Sequence, residues 1–122
     1  MTDTGKATIK TYGDIKDNII NINIYFDGEL LDSDMKKIYH AIIREYKLPV
    51  NILCTRNKEN CYSLDAANYM KTNAKHIFNK VACIADDQVT IESFNSSKET
   101  IFKDNSTKLF KTIDEGYHWL QN

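Results

Sequence analysis

The stretch Asp32–Thr55, DSDMKKIYHAIIREYKLPVNILCT, reads as a helix running straight into a strand, and that succession decides the fold class. Met35, Ile38, Tyr39, Ile42, Ile43 and Tyr46 recur at helical spacing and form one continuous apolar stripe. Asp32 or Ser33 can cap the start with a side-chain oxygen. Pro49 has no N–H to give and blocks continuation beyond Leu48. Val50 to Thr55 is then a short apolar strand.

Upstream, Ile20, Ile22, Ile24 and Phe26 alternate with Asn21, Asn23 and Tyr25, the period of a strand with one buried face. Thr8 to Tyr12 is a shorter strand, joined to it by a turn built from Gly13, Asp14, Asp17 and Asn18. Asp27-Gly28 closes the second strand, so the two are expected to pair antiparallel. Downstream of the polar loop Arg56–Asn60, Ala67, Met70, Ala74, Ile77 and Phe78 repeat the helical spacing. Val81 to Ala85 is continuously apolar, as a strand covered on both faces would be. Val89, Ile91, Phe94 and Ile101 suggest a short helix over 88–97, within a polar background.

Lys108 to Lys111 supplies a last strand. Thr112-Ile113-Asp114-Glu115 then has the pattern of a capping box, and Ile113, Tyr117 and Leu120 give the final helix an inward face. The order is strand-strand-helix-strand-helix-strand-helix-strand-helix. Strands separated by helices imply largely parallel pairing through right-handed crossovers. With no repeat, low-complexity tract or linker, residues 1–122 read as a single α/β domain.

The bulk figures exclude several function classes. The 122 residues are 42% hydrophobic and 27% charged, enough for a real core in one soluble domain. A formal net charge of -1 gives no general reason to bind nucleic acid or an anionic membrane. No apolar run approaches the roughly 20 residues that span a bilayer. MTDTGKATIK lacks the apolar core of a secretory signal. Cys54, Cys61 and Cys83 show no CxxC spacing, so a reduced, cytoplasmic compartment is expected.

Four segments in this order, NIYFDGELLDSDMKKI, PVNILCTR, NKVACIADD and the closing KLFKTIDEGYHWL, resemble the SpoIIAA-like branch of the STAS-related proteins over roughly Ile9–Leu120. The resemblance implies a mixed sheet with helices packed mainly on one side. In relatives that antagonise anti-sigma factors it also implies a phosphorylatable serine where the third strand meets the second helix. Ser63 lies nearest that position, although the antagonist run Asp-Ser-Ser-Gly is here Tyr62-Ser63-Leu64-Asp65. The STAS-like fold is also related to CRAL-TRIO lipid-binding proteins, whose similar sheet and helices enclose an apolar ligand.

The candidate site is CYSLDAAN, Cys61–Asn68. Ser63 has a structural role as helix N-cap, and Asp65 complements the positive end of the helix dipole. Cys61 lies just outside the same terminus, where a thiolate could be stabilised, or is an incidental thiol. Tyr62, Ser63 and Asp65 complete the candidate regulatory or partner-binding group. His40, His76 and His118 are scattered without ligand spacing, so no metal is expected. Asp86-Asp87 follows a buried strand, where a functional group or a helix cap would sit. Lys71, Lys75 and Lys80 along the second helix read as a solvated face or a weak anion-binding surface.

No Gly-rich phosphate loop, GxSxG elbow or Ser/His/Asp arrangement is present, so neither catalysis nor a cofactor is expected. Two readings follow. One is a regulatory module that docks on another protein through residues 56–69. The other is a carrier of a small apolar ligand, with segment 86–106 (Val89, Ile91, Phe94) as its cover. A second copy of the chain is a further candidate partner.

Overall fold

The computed structural model describes residues 1–56, 59–98 and 106–122. Ile101, the later part of the expected cover segment, and residues 57 and 58 of the expected docking loop lie outside them. The elements run β1 (Thr2–Asp3), β2 (Ala7–Thr11), a 3₁₀ turn (Ile15–Asp17), β3 (Ile19–Ile24), β4 (Gly28–Leu30) and α1 (Asp32–Glu45). They continue with β5 (Val50–Arg56), β6 (Asn60–Tyr62), α2 (Leu64–Ile77), β7 (Phe78–Ile84), α3 (Gln88–Lys98), β8 (Ser106–Phe110) and α4 (Ile113–Gln121).

The main sheet has the order β1-β2-β3-β5-β7-β8. β1, β2 and β3 pair antiparallel, with Ile9 opposite Ile22; β3, β5, β7 and β8 pair parallel. This is the expected mixed sheet, with the expected elements in order, including the short helix after β7. The sequence reading missed β1 and a small parallel pair, β4 with β6, in which Leu30 faces Tyr62. Two or three residues each left too little alternation to register as strands.

The strands advance across the sheet in one direction. Crossovers of one hand must then place successive helices on one face. α1 and α2 accordingly bury Met35, Ile38, Tyr39, Ile42, Ala66, Met70 and Ala74 against Ile20, Ile22, Ile24, Val50 and Ile52. α4 follows the last strand and has no crossover to make. It takes the opposite face, where Leu120 packs with Ile19, Leu53 and Ala82.

Several local expectations need correction. Neither Asp32 nor Ser33 caps α1. Leu31 is the N-cap and has no acceptor, so the Leu31 amide instead donates to Asp34 Oδ2 at 2.7 Å. The same oxygen accepts from Lys6 Nζ at 2.7 Å. Burial alone would push the Asp34 carboxyl up, but the Lys6 ammonium and the Leu31 amide hold it below its ordinary value. Ile43 is 49% exposed, because the buried stripe runs through Ala41 and Ile42. Ile113 is 40% exposed, and Gly116 takes its place as the inward residue of α4. α2 ends at Ile77, which places Phe78 and Lys80 on β7.

Asn21 was expected on a solvated strand face but is buried. Its Nδ2 donates to the Leu53 carbonyl at 2.9 Å and to Thr55 Oγ1 at 3.1 Å. Thr55 Oγ1 in turn donates to Asn23 Oδ1 at 2.9 Å, so the burial leaves no amide unpaired.

Candidate functional site

The carboxyl ends of the parallel strands hold the groups of interest. β6 ends at Tyr62, and Ser63 turns the chain into α2. The Ser63 amide donates to the Leu30 carbonyl at 2.9 Å, and Ser63 Oγ accepts from the Ala66 amide at 3.0 Å. Ser63 is therefore the N-cap expected of it, with exposed Asp65 in the first turn at the positive end of the helix. Replacing Ser63 by alanine is expected to lower folding stability by about 1 kcal/mol, measured by urea unfolding. An unchanged midpoint would mean that the cap hydrogen bond contributes nothing.

Tyr62 and Cys61 part company here. Cys61 is exposed, whereas the Tyr62 ring points into a cavity of about 50 Å³ between the sheet and the three helices on its face. Ile22, Ile38, Ile52, Met70 and Phe78 line its apolar floor and sides. Phe94 and Thr90 of α3 line it from above, and Phe94 is buried. The expected cover segment and the expected regulatory segment thus meet at one cavity through Phe94 and Tyr62. Val89 does not join them, being 59% exposed. Ile91 is half-buried but does not line the cavity either.

Four polar side chains, Cys54, Cys83, Arg56 and Tyr62, share this wall. Cys54 and Arg56 are two apart on β5 and so face the same way; Cys83 is the register partner of Cys54 on β7. Arg56 Nη2 donates to Tyr62 Oη at 3.3 Å, with the guanidinium 5.6 Å from the ring centroid. A hydrogen bond from Cys83 and the nearby Arg56 charge outweigh burial and hold the Cys54 thiol down at about 7. The same hydrogen bond and burial push the Cys83 thiol well above its ordinary value. Burial, only partly offset by Arg56, pushes Tyr62 up to about 12. Tyr39 Oη is buried at the same cavity and is without a hydrogen-bond partner among the described residues.

No sequence motif announced this group. The usable signal was the alternation Ile52-Cys54-Arg56, which puts a thiol and a guanidinium on one strand face.

The remaining candidates stay apart. His40, His76 and His118 are exposed on three different helices. Lys71 and Lys75 are exposed on α2, while Lys80 lies 5.2 Å from the Trp119 ring centroid. Asp87 caps α3: its Oδ2 accepts from the Thr90 amide at 2.9 Å and the Thr90 hydroxyl at 2.8 Å. Asp86, Asp87 and Lys111 also line an open polar groove of about 650 Å³ on the α4 side, floored by Asn21, Asn23 and Thr55.

Among the described residues, no helix is long and apolar enough to cross a membrane. No protein-family model and no curated protein matches the chain. A similar solved structure is that of an uncharacterized protein of the DUF3478 family from Shewanella loihica PV-4, described as having a SpoIIAA-like fold. It is 17% identical, with a TM-score of 0.60 over 93% of this chain and 91% of that one. At that identity the likeness speaks for architecture alone, and with the strand order and helix placement above it establishes that the chain has a SpoIIAA-like fold.

Proposed function

We propose that the chain is a non-enzymatic, cytoplasmic docking module that binds another protein through the carboxyl end of its sheet. One observation carries this reading: each α-helix described begins there with an exposed large apolar side chain. These are Leu31 at 42%, Leu64 at 77%, Val89 at 59% and Ile113 at 40% exposure. Neighbouring strands are about 4.8 Å apart, so the β3–β8 span that delivers them is about 15 Å wide, the scale of a small protein interface. The same end carries exposed Asp27, Glu29, Asp65, Asp86, Asp87, Asp114 and Glu115. Some of these acids complement helix dipoles, and together they ring the apolar residues with negative charge. The partner that fits is a protein surface with apolar side chains and a basic rim.

The non-enzymatic reading rests on how the hydroxyl and carboxylate groups are occupied. Ser63 Oγ and Asp87 hold helix starts, and the parallel strands advance without the order reversal at which doubly wound proteins place their ligand crevice. A carrier of a small apolar ligand is the second reading, favoured by the apolar lining of the cavity. Its volume, about 50 Å³, is about a third of the roughly 150 Å³ that takes benzene, so it does not hold a lipid chain as it stands.

The test is a partner isolated from the source, identified, and rebuilt with purified chain as a binary complex. Leu64→Glu is expected to weaken that complex at least roughly tenfold, while Ile15→Glu, at 82% exposure on the opposite end, leaves it within about twofold. Equal losses from both would defeat the assignment. Ser63→Asp keeps a good N-cap, so any change in binding reads added charge rather than lost helix. Binding equal to wild type would remove Ser63 as a switch.

A further inference from the structure

We propose that Cys54 and Cys83 are a peroxide-oxidisable dithiol, a modification site at which hydrogen peroxide enters the cavity under α3 and the neighbouring strands β5 and β7 become covalently joined. The inference stands independently of the docking reading. Its first support is register: the two residues face each other across a parallel ladder, on the same side of the sheet. Cα atoms about 4.8 Å apart in such a ladder lie within the roughly 4.4–6.8 Å that a disulfide bridges. Both thiols are free and half-buried.

The second support is the cavity. A water molecule needs roughly 10–15 Å³ of such space, so about 50 Å³ admits a guest of a few heavy atoms. That selects hydrogen peroxide over the hydroperoxide of a lipid. The wall offers donors for a small oxygen compound: the Arg56 guanidinium, Tyr62 Oη, and Tyr39 Oη, which is buried with no partner among the described residues.

The chemistry balances without a further reagent. The Cys54 thiolate attacks one peroxide oxygen, the O–O bond breaks, and the departing hydroxide leaves as water once protonated, giving a sulfenic acid on Cys54. The Cys83 sulfur then attacks Cys54 Sγ, the S–O bond breaks, and hydroxide takes the Cys83 proton and leaves as a second water. Two thiols lose two electrons and two protons, and peroxide is reduced to water.

The assignment of roles follows from charge. The groups facing Cys54 are Cys83 on β7, Arg56 on β5, Tyr62 on β6 and Tyr39 on α1. α2 contributes apolar Met70, and α3 contributes Phe94 and Thr90, whose hydroxyl is held by Asp87. Arg56 is the cation among them, and it lies on the strand of Cys54, so Cys54 is the attacking thiolate and Cys83 the resolving thiol. With its thiol held down beside the Arg56 charge, Cys54 has more thiolate at neutral pH than an ordinary cysteine.

The experiment uses the Cys61→Ser protein, so that only the pair remains. It is reduced, treated with hydrogen peroxide at about pH 7.5, and alkylated under denaturing conditions. The expected product has lost the mass of two hydrogens, escapes alkylation, yields a peptide linking Cys54 to Cys83, and reverts with dithiothreitol. In the same background, Cys83→Ser is expected to stop at a Cys54 sulfenic acid that dimedone traps. Cys54→Ser is expected to slow peroxide consumption at least roughly tenfold. Arg56→Met is expected to move the half-maximal rate, near pH 7 in the parent, to higher pH. Full alkylation of both thiols after peroxide, or sulfinic acid on Cys54 with Cys83 still free, overturns the proposal. The first readout needs neither pair variant, so a poorly folded Cys54→Ser protein leaves the test intact.

Discussion

Truncating Ile52 to alanine is expected to cost about 4 kcal/mol of folding stability. Ile52 is 1% exposed on β5, the strand flanked by β3 and β7, and its side chain forms part of the cavity wall. Losing a buried Ile to Ala costs roughly 2–5 kcal/mol, the spread reflecting how far the site can collapse. Collapse is poor here. The floor is a sheet hydrogen-bonded on both sides, and the space left by the lost carbons merges with the void of about 50 Å³ already beside it. The result belongs in the upper half of the range. Ile43→Ala, at 49% exposure, is the control and should cost less than about 1 kcal/mol, since Ala also favours the helix. Urea unfolding of the two proteins measures the difference; similar losses would place the α1 stripe in a different register from that described.

Gly116→Val is expected to cost about 3 kcal/mol, at the top of the usual overpacking range. A Cβ at Gly116 would lie 2.7 Å from Ile84 Cδ1, 3.2 Å from Leu53 Cδ1 and 3.4 Å from Ala82 Cβ. The Ile84 methyl is the end of a movable chain, so a single carbon could be accommodated; the two further methyls of valine could not. Valine is a better helix former than glycine, which offsets only a few tenths of a kcal/mol. The loss should therefore appear as displacement of α4, read by the Trp119 fluorescence maximum, together with a lower urea midpoint. A variant as stable as wild type would show that α4 does not rely on glycine for its close approach.

The contrast between Gly116 and Ile113 shows where the residue pattern stops being informative. Apolar periodicity marks α1 and α2 well, because their long side chains do the packing. On α4 Leu120 packs inward as its spacing predicts, but the close approach one turn earlier is made by Gly116, a residue with no side chain, and the apolar Ile113 is left half in water. Caps divide in the same way. Ser63 and Thr112 were legible because each accepts from the amide three residues on, at 3.0 and 3.2 Å. The start of α1 was not, because Asp34 reaches back to the amide of a leucine.

The helix start at Ser63 was legible, and Tyr62 and Phe94 line one cavity that the sequence does not describe. Local alternation puts Cys54 and Arg56 on one strand face, but Cys83 meets Cys54 only through the register of strands far apart in the chain. Asn21 is hidden for a related reason: its amide is taken up by the Leu53 carbonyl and Thr55 of the neighbouring strand, a pairing that only the strand register reveals.

The uninterrupted strand order has a bearing on biosynthesis. In the main sheet each strand lies beside the one that precedes it in the order of synthesis. Ile19 meets Asn51, Ile52 meets Val81, and Val81 meets Thr107, so each parallel closure spans only about 30 residues. No strand has to insert between two that are already paired. A nascent chain leaving the ribosome therefore always has its template edge in place, and the sheet can be laid down from one side to the other as translation proceeds.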